Sequence, residues 1–196
     1  PLEPVPLRSL QRYHHVALNS FSDAETLVDA VQRRPGVYGP NPIAFLSLLA
    51  RRPNLTLGDM EEALINDRSL VRAGAFRGSV FLLATDDYPL YFRALFETLA
   101  SAGMSRLRSA GYDEQSLALF ARRLRKEDFS MPRSQNQLVD VILPGPQRRP
   151  DLDVERLIFR KLCDLGVLVR TSSKGWKGKQ FNYALADNWL DGTSLS

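Results

Sequence analysis

Apolar positions along the chain recur mostly at helical spacing, broken by two short stretches where they crowd together between glycines and basic residues. Residues 7–18 form an amphipathic pattern. Ser22-x-x-Glu25 has the spacing of a capping box ahead of Leu27, Val28 and Val31, so a helix is predicted from 23. Pro35-Gly36 stops it near Arg34, and Gly39, Pro40 and Pro42 prolong an irregular loop. A third helix runs through Phe45, Leu46, Leu48 and Leu49 to Pro53, and Thr56 and Asp59 open a fourth across Met60, Ala63 and Leu64. Residues 70–84, rich in Val and Phe and broken by Gly74 and Gly78, read as a hairpin. Asp86 or Asp87 is expected to cap a helix through Tyr91, Phe92, Leu95 and Leu99 that Gly103 ends. Helices at 114–126, 134–142 and 153–165 follow, then strands at 167–172 and 180–185.

The pattern repeats. Leu70-Val71-Arg72 leads to Phe81-Leu82-Leu83-Ala84 and Asp86-Asp87-Tyr88; about a hundred residues on, Leu168-Val169-Arg170 leads to Phe181-Asn182-Tyr183-Ala184 and Asp187-Asn188-Trp189. A helix feeding a basic hairpin is the outline of a winged helix, a form of helix-turn-helix module, and a repeat of this size predicts two domains. The expected fold is mainly α with small β-hairpins: tandem winged-helix domains at 1–100 and 113–196, with the Ser-, Gly- and Arg-containing stretch 101–112 as their connection.

Composition narrows the function. The 196 residues are 44% hydrophobic with a formal charge of +4, enough apolar material for real cores and a modest basic excess. One cysteine, Cys163, excludes an internal disulfide and a cysteine-rich metal site; set among Leu157, Ile158, Leu162 and Leu165, it is expected to be a core thiol. His14 and His15 are adjacent, share no helix face and have no ligand cluster around them. No phosphate-cradling glycine loop or nucleophile elbow is present, and no cofactor is called for. No apolar run spans a bilayer and no signal-peptide core opens the chain, so a cytoplasmic, nucleoid-associated location without membrane contact is expected.

Basic residues gather at the hairpins. Arg68, Arg72 and Arg77 lie near the first, and Arg170, Lys174, Lys177 and Lys179 near the second, as expected for phosphate contact; a merely solvated charge run is the plainer alternative. Nine positions separate Arg72 from Phe81 and eleven separate Arg170 from Phe181, so the second tip is longer and carries Trp176 among its lysines. Trp176 is placed either to stack or wedge against a base or to pack back on its own domain.

In their order, Asn66-Asp67-Arg68-Ser69-Leu70-Val71-Arg72, Arg77-Gly78-Ser79-Val80-Phe81-Leu82-Leu83, Gly175-Trp176, Tyr183-Ala184 and Asp187-Asn188-Trp189-Leu190 resemble the AlkZ-like winged-helix DNA glycosylases of bacteria, over their amino-terminal portion. The resemblance implies tandem winged helices followed by a β-barrel, a role in DNA repair, and excision of alkylated bases, including unhooking of interstrand crosslinks. The family's catalytic motif, glutamine–x–glutamine or glutamine–x–aspartate, ends an early helix. Its matching place here is Gln32-Arg33-Arg34, with Gln32 agreeing and Arg34 replacing the second member. Glycosidic cleavage builds positive charge on the sugar and needs a polarised water; arginine offers donors and no acceptor. A guanidinium about 5 Å from that charge opposes it by about 3 kcal/mol at an effective dielectric of about 20, roughly two orders of magnitude in rate. Basic residues here also suit a helix's last turn and a phosphate.

The expected function is therefore double-stranded DNA binding, including alkylated or crosslinked duplex, with Arg33, Arg34 and the hairpin cations Arg68, Arg72, Arg77, Arg170, Lys174, Lys177 and Lys179 on the backbone and Trp176 on a base. The alternatives are an active monofunctional glycosylase in which Gln32 positions water, a winged-helix transcription regulator, and a protein-interaction module.

Overall fold

The structure is a computed structural model and describes residues 26–33, 36–40, 42–50, 52, 54–144, 150–171 and 181–190. Helix predominates around one antiparallel sheet of six strands, a mixed arrangement in which the β component is larger than two separate hairpins. In chain order the first half contains α1 (Leu27–Gln32), β1 (Val37–Tyr38), α2 (Ile43–Leu49), α3 (Leu57–Glu61) continued by a wide helical turn at Glu62–Asn66, β2 (Leu70–Gly74), β3 (Val80–Ala84) and α4 (Tyr88–Ser101). The second contains α5 (Met104–Ser109), α6 (Glu114–Leu124), β4 (Arg133–Ser134), α7 (Gln135–Ile142), α8 (Leu152–Asp164), β5 (Leu168–Arg170), β6 (Asn182–Leu185) and α9 (Ala186–Trp189). Apart from α5, which precedes the second round, each half thus repeats one order: helix, short strand, two helices, hairpin, helix.

Local chemistry explains most boundaries. Thr26 and Asp29 form a reciprocal capping box at α1, Thr56 and Asp59 another at α3, and Asp113 and Ser116 a third at α6. Asp87 occupies the cap position of α4 without a capping side-chain bond; Pro89 sits in the first turn, where a missing N–H costs nothing and its fixed φ suits the helix start. The expected helix at 7–18 and the Ser22–Glu25 box lie outside the described residues. Two short strands were not expected. β1 lies in the proline–glycine loop and pairs with β3 (Val37↔Leu82, Tyr38↔Phe81), and β4 pairs with β6 (Arg133↔Tyr183, Ser134↔Asn182). Two residues are too few to display a period of two in sequence.

The sheet runs β1-β3-β2-β5-β6-β4, so the hairpins lie side by side and meet at Arg72↔Arg170. Strand alternation then sorts every side chain to a face. On one face Leu70, Leu82 and Val37 pack beneath α1–α3, while Leu168, Leu185 and Tyr183 pack beneath α6–α8. The other face, with Val71, Ala73, Leu83, Val169 and Ala184, is covered by Tyr88 and Phe92 of α4 and Trp189 of α9. This third cluster draws on both halves, and a fully buried side chain of its size contributes roughly 1.5–3 kcal/mol. The stretch 101–112 is not a bare connection: α5 lies within it, and Met104 and Leu107 are buried in the second half's core.

Candidate nucleic-acid interface

α1 ends in the residues of greatest chemical interest. The side chain of Asp29 accepts from the Thr26 hydroxyl and from its amide at 2.9 Å, which holds the Asp29 carboxyl below its usual range. Leu27, Ala30 and Val31 anchor the helix inward, and Gln32 and Arg33 are exposed at its end. Gly36 then turns the chain at φ +87°, where an added Cβ would lie 2.5 Å from a Leu83 methyl and 3.1 Å from the Leu82 carbonyl oxygen. β1 docks on β3 directly afterwards, so the Gln32 end of α1 is tied to the sheet from both sides. A carboxamide there can both donate and accept, as a water-holding group must.

The hairpin cations divide into three. Arg77 is exposed at the tip of the first hairpin. Arg68 is half-buried; its guanidinium lies 4.3 Å from the Trp189 ring centre and donates to the Asn188 carbonyl oxygen at 3.4 Å, joining the two halves. Arg72 and Arg170 are only 2% and 7% exposed. Both were expected to contact phosphate; in the structure they are buried, and the register turns both toward the seam between the two helix-covered cores. Burial lowers Arg72 to about 10, still protonated at neutral pH, and its guanidinium carbon lies 5.8 Å from the Phe181 ring centre. For Arg170 burial opposes the charge, but surrounding groups including Asp164 outweigh it and raise the pKa. Arg34, Lys174, Trp176, Lys177 and Lys179 lie outside the described residues.

The seam contains a charged cluster that charge counting along the chain did not single out. Lys161 is fully buried on α8, donates to the carbonyl oxygens of Leu99 and, at 3.2 Å, Ala100 at the end of α4, and pairs with Asp164 at 3.4 Å. Burial lowers the Lys161 pKa and raises that of Asp164, against their mutual attraction. Arg160 on the same helix donates to the Gly78 carbonyl oxygen at 2.8 Å, pinning the first hairpin's turn. The missed signal was legible: Lys161 follows Val154 and Ile158 and precedes Leu165 on an apolar stripe, where a lysine must find a buried partner. Cys163 beside it is buried, which pushes its thiol up to about 11 and leaves it inert.

The helices just before the two hairpins differ in charge and exposure. α3 and its continuation expose Asp59, Glu61, Glu62 and Asp67, with no lysine or arginine from 54 to 67. α8 is enclosed between its own core and the first half, with eight of its thirteen residues buried. Among the described residues no cluster of His, Cys, Asp or Glu is placed to hold a metal, and no helix is long and apolar enough to cross a membrane.

With this geometry in hand, residues 24–195 match the family model described as DNA glycosylase AlkZ-like, and the chain belongs to that family. Its fold is similar to that of the Streptomyces sahachiroi DNA glycosylase AlkZ, with a TM-score of 0.68 at 14% identity, covering 98% of this chain and 52% of that protein. The chain therefore spans about half the length of that relative. No curated protein matches it.

Proposed function

We propose that the chain binds double-stranded DNA, damaged duplex included, as a glycosylase relative whose own base-excision activity is weak or absent. Each half is taken as a winged helix, the helix–strand–helix–helix–hairpin order being that module's order. The observation that supports the reading is the exposed Gln32–Arg33 end of α1, tied to the sheet at the place to which the resemblance assigns the family's catalytic motif. Arg33 and Arg77, together with Arg34, Lys174, Lys177 and Lys179, are the proposed phosphate contacts, with Trp176 against a base; Arg68, Arg72 and Arg170 serve the junction between the halves. Four to six such contacts give a log–log salt dependence of affinity of roughly −4 to −5. A flat salt response in a duplex titration removes DNA from the argument. The regulator alternative is disfavoured because an acidic α3 repels phosphates where a sequence-reading helix must enter the groove.

Catalysis has its own test. N7-alkylguanine duplex incubated with the chain is expected to yield no appreciable abasic product, and Arg34→Asp supplies the missing acceptor. Efficient release by the unaltered chain that Gln32→Ala abolishes would favour the second reading, an active glycosylase, which the outward-facing carboxamide of Gln32 supports. A product from Arg34→Asp alone assigns the loss to Arg34.

A further inference from the structure

At the β1–β3 edge of the sheet, on the face that α4 covers, lies a row of aromatic rings, of which Phe81 and Tyr91 also pack against the third core cluster. Tyr38 on β1 meets Phe81 on β3 at 5.9 Å between ring centres, Phe81 meets Phe76 at the hairpin turn at 5.4 Å, and Phe76 meets Tyr91 on α4 at 6.1 Å. All three contacts are close to perpendicular, at 79°, 86° and 89°. The two rings most open to solvent are Tyr38, 45% exposed, and Phe76, 36% exposed. Beside Phe76 stands the exposed Arg77, held at φ +53° in the left-handed region that a non-glycine side chain adopts at a cost. The turn is pinned from behind. Arg160 grips the Gly78 carbonyl oxygen so closely that a Cβ on Gly78 would lie 2.2 Å from its guanidinium.

Two open rings held in place by half-buried neighbours, with an exposed cation next in sequence to one of them, have the chemistry of a nucleotide platform: every base offers a flat face to an aromatic ring, and the adjacent phosphate needs a positive charge. Paired bases inside a duplex keep their faces covered by their neighbours. From the ring row and the pinned Arg77, and resting on the DNA-binding reading above, we infer that this face binds the unpaired nucleobases of a gapped or distorted DNA strand, with Tyr38 and Phe76 stacking and Arg77 on the phosphate. Stacking here is independent of Trp176 on the other hairpin.

The test is fluorescence anisotropy of the full chain with two labelled DNAs, an intact duplex and the same duplex carrying a short single-stranded gap, the gap containing 2-aminopurine. The chain is expected to prefer the gapped DNA by ~10-fold and to quench the 2-aminopurine on binding. Tyr38→Ser and Phe76→Ser are each expected to remove most of that preference and the quenching while leaving intact-duplex affinity within about 2-fold. Arg77→Gly relieves the left-handed backbone, so it folds at least as well; it is expected to weaken both DNAs alike and lower the salt slope by about one. Intact duplex bound with no preference for the gap overturns the platform and leaves the DNA reading standing; no binding to either DNA overturns both. Preference and quenching unchanged in folded Tyr38→Ser and Phe76→Ser also overturn it. Should Phe76→Ser lose its thermal transition, the more exposed Tyr38→Ser and the quenching by the unaltered chain decide.

Discussion

The two halves of the molecule lay down the same elements in the same order and put them to opposite uses. α3 and α8 occupy the same slot, each the helix entering a hairpin. α3 faces solvent with Asp59, Glu61, Glu62 and Asp67, whereas α8 is walled in and carries Lys161, at 0% exposure, against the carbonyl end of α4. Arg72 and Arg170 occupy equivalent places on β2 and β5, paired across the seam and buried there. Topology therefore does not specify the job of a position. Once the hairpins pair edge to edge, the middle of the sheet becomes interior, and the basic residues there become part of the joint. Arg77 at the first turn and Arg33 at the end of α1 stay exposed.

This contrast can be broken most sharply at Lys161. Lys161→Ala leaves Asp164, 3% exposed, without its ammonium partner and is expected to cost about 3–5 kcal/mol in urea unfolding. Lys161→Met combined with Asp164→Leu removes both charges and is expected to recover much of that loss. In the equivalent slot of the first half, Ile65→Ser on the exposed face is expected to stay within about 0.5 kcal/mol of the unaltered chain. Equal effects at the two sites would show that the slots are not used differently.

A smaller effect asks whether the halves unfold together. Val71 and Val169 lie in the same cluster beneath α4 and α9, each 1% exposed. Truncation of either to alanine is expected to cost about 1–3 kcal/mol, and the double variant to depart from additivity by about 0.5 kcal/mol or more. Two separate unfolding transitions, with strictly additive losses, would contradict a joint core.

Smallest is the pH effect. Burial raises the folded-state pKa of Asp164 above the ordinary carboxylate value of 3.8. The folded state then holds the proton more tightly than the unfolded one, so this group's contribution is fully present below about pH 4 and is lost as pH rises through the raised value. Asp164→Asn removes that loss, and its stability relative to the unaltered chain is expected to improve as pH climbs from 4 toward neutrality. Asp59, whose carboxyl is held down by the backbone and side chain of Thr56, contributes with the opposite sign and is unchanged between the two proteins. A constant difference across that range would mean that Asp164 keeps an ordinary pKa.

Much of this molecule is decided by short-range chemistry and was legible in the chain. The hairpin strands at 70–74 and 80–84, the Thr56–Asp59 cap, the buried Cys163 and the resemblance to the AlkZ-like family all rest on spacing within a few residues or on ordered motifs. That the helix carrying Gln32 stops close behind it was signalled by Pro35-Gly36. What the tertiary structure decided is which face of each element ends up inside. Arg72 and Arg170 look like surface cations because nothing local records that β2 and β5 will pair across a hundred residues, or that alternation will then turn both guanidinium groups into the seam. The row of Tyr38, Phe81, Phe76 and Tyr91 is scattered over four elements and exists only because β1 docks on β3 and α4 folds back over the turn. Local propensity carries information about neighbours in sequence; burial and long-range contact are properties of the packed sheet, and they set which charges bind a partner and which hold the fold together.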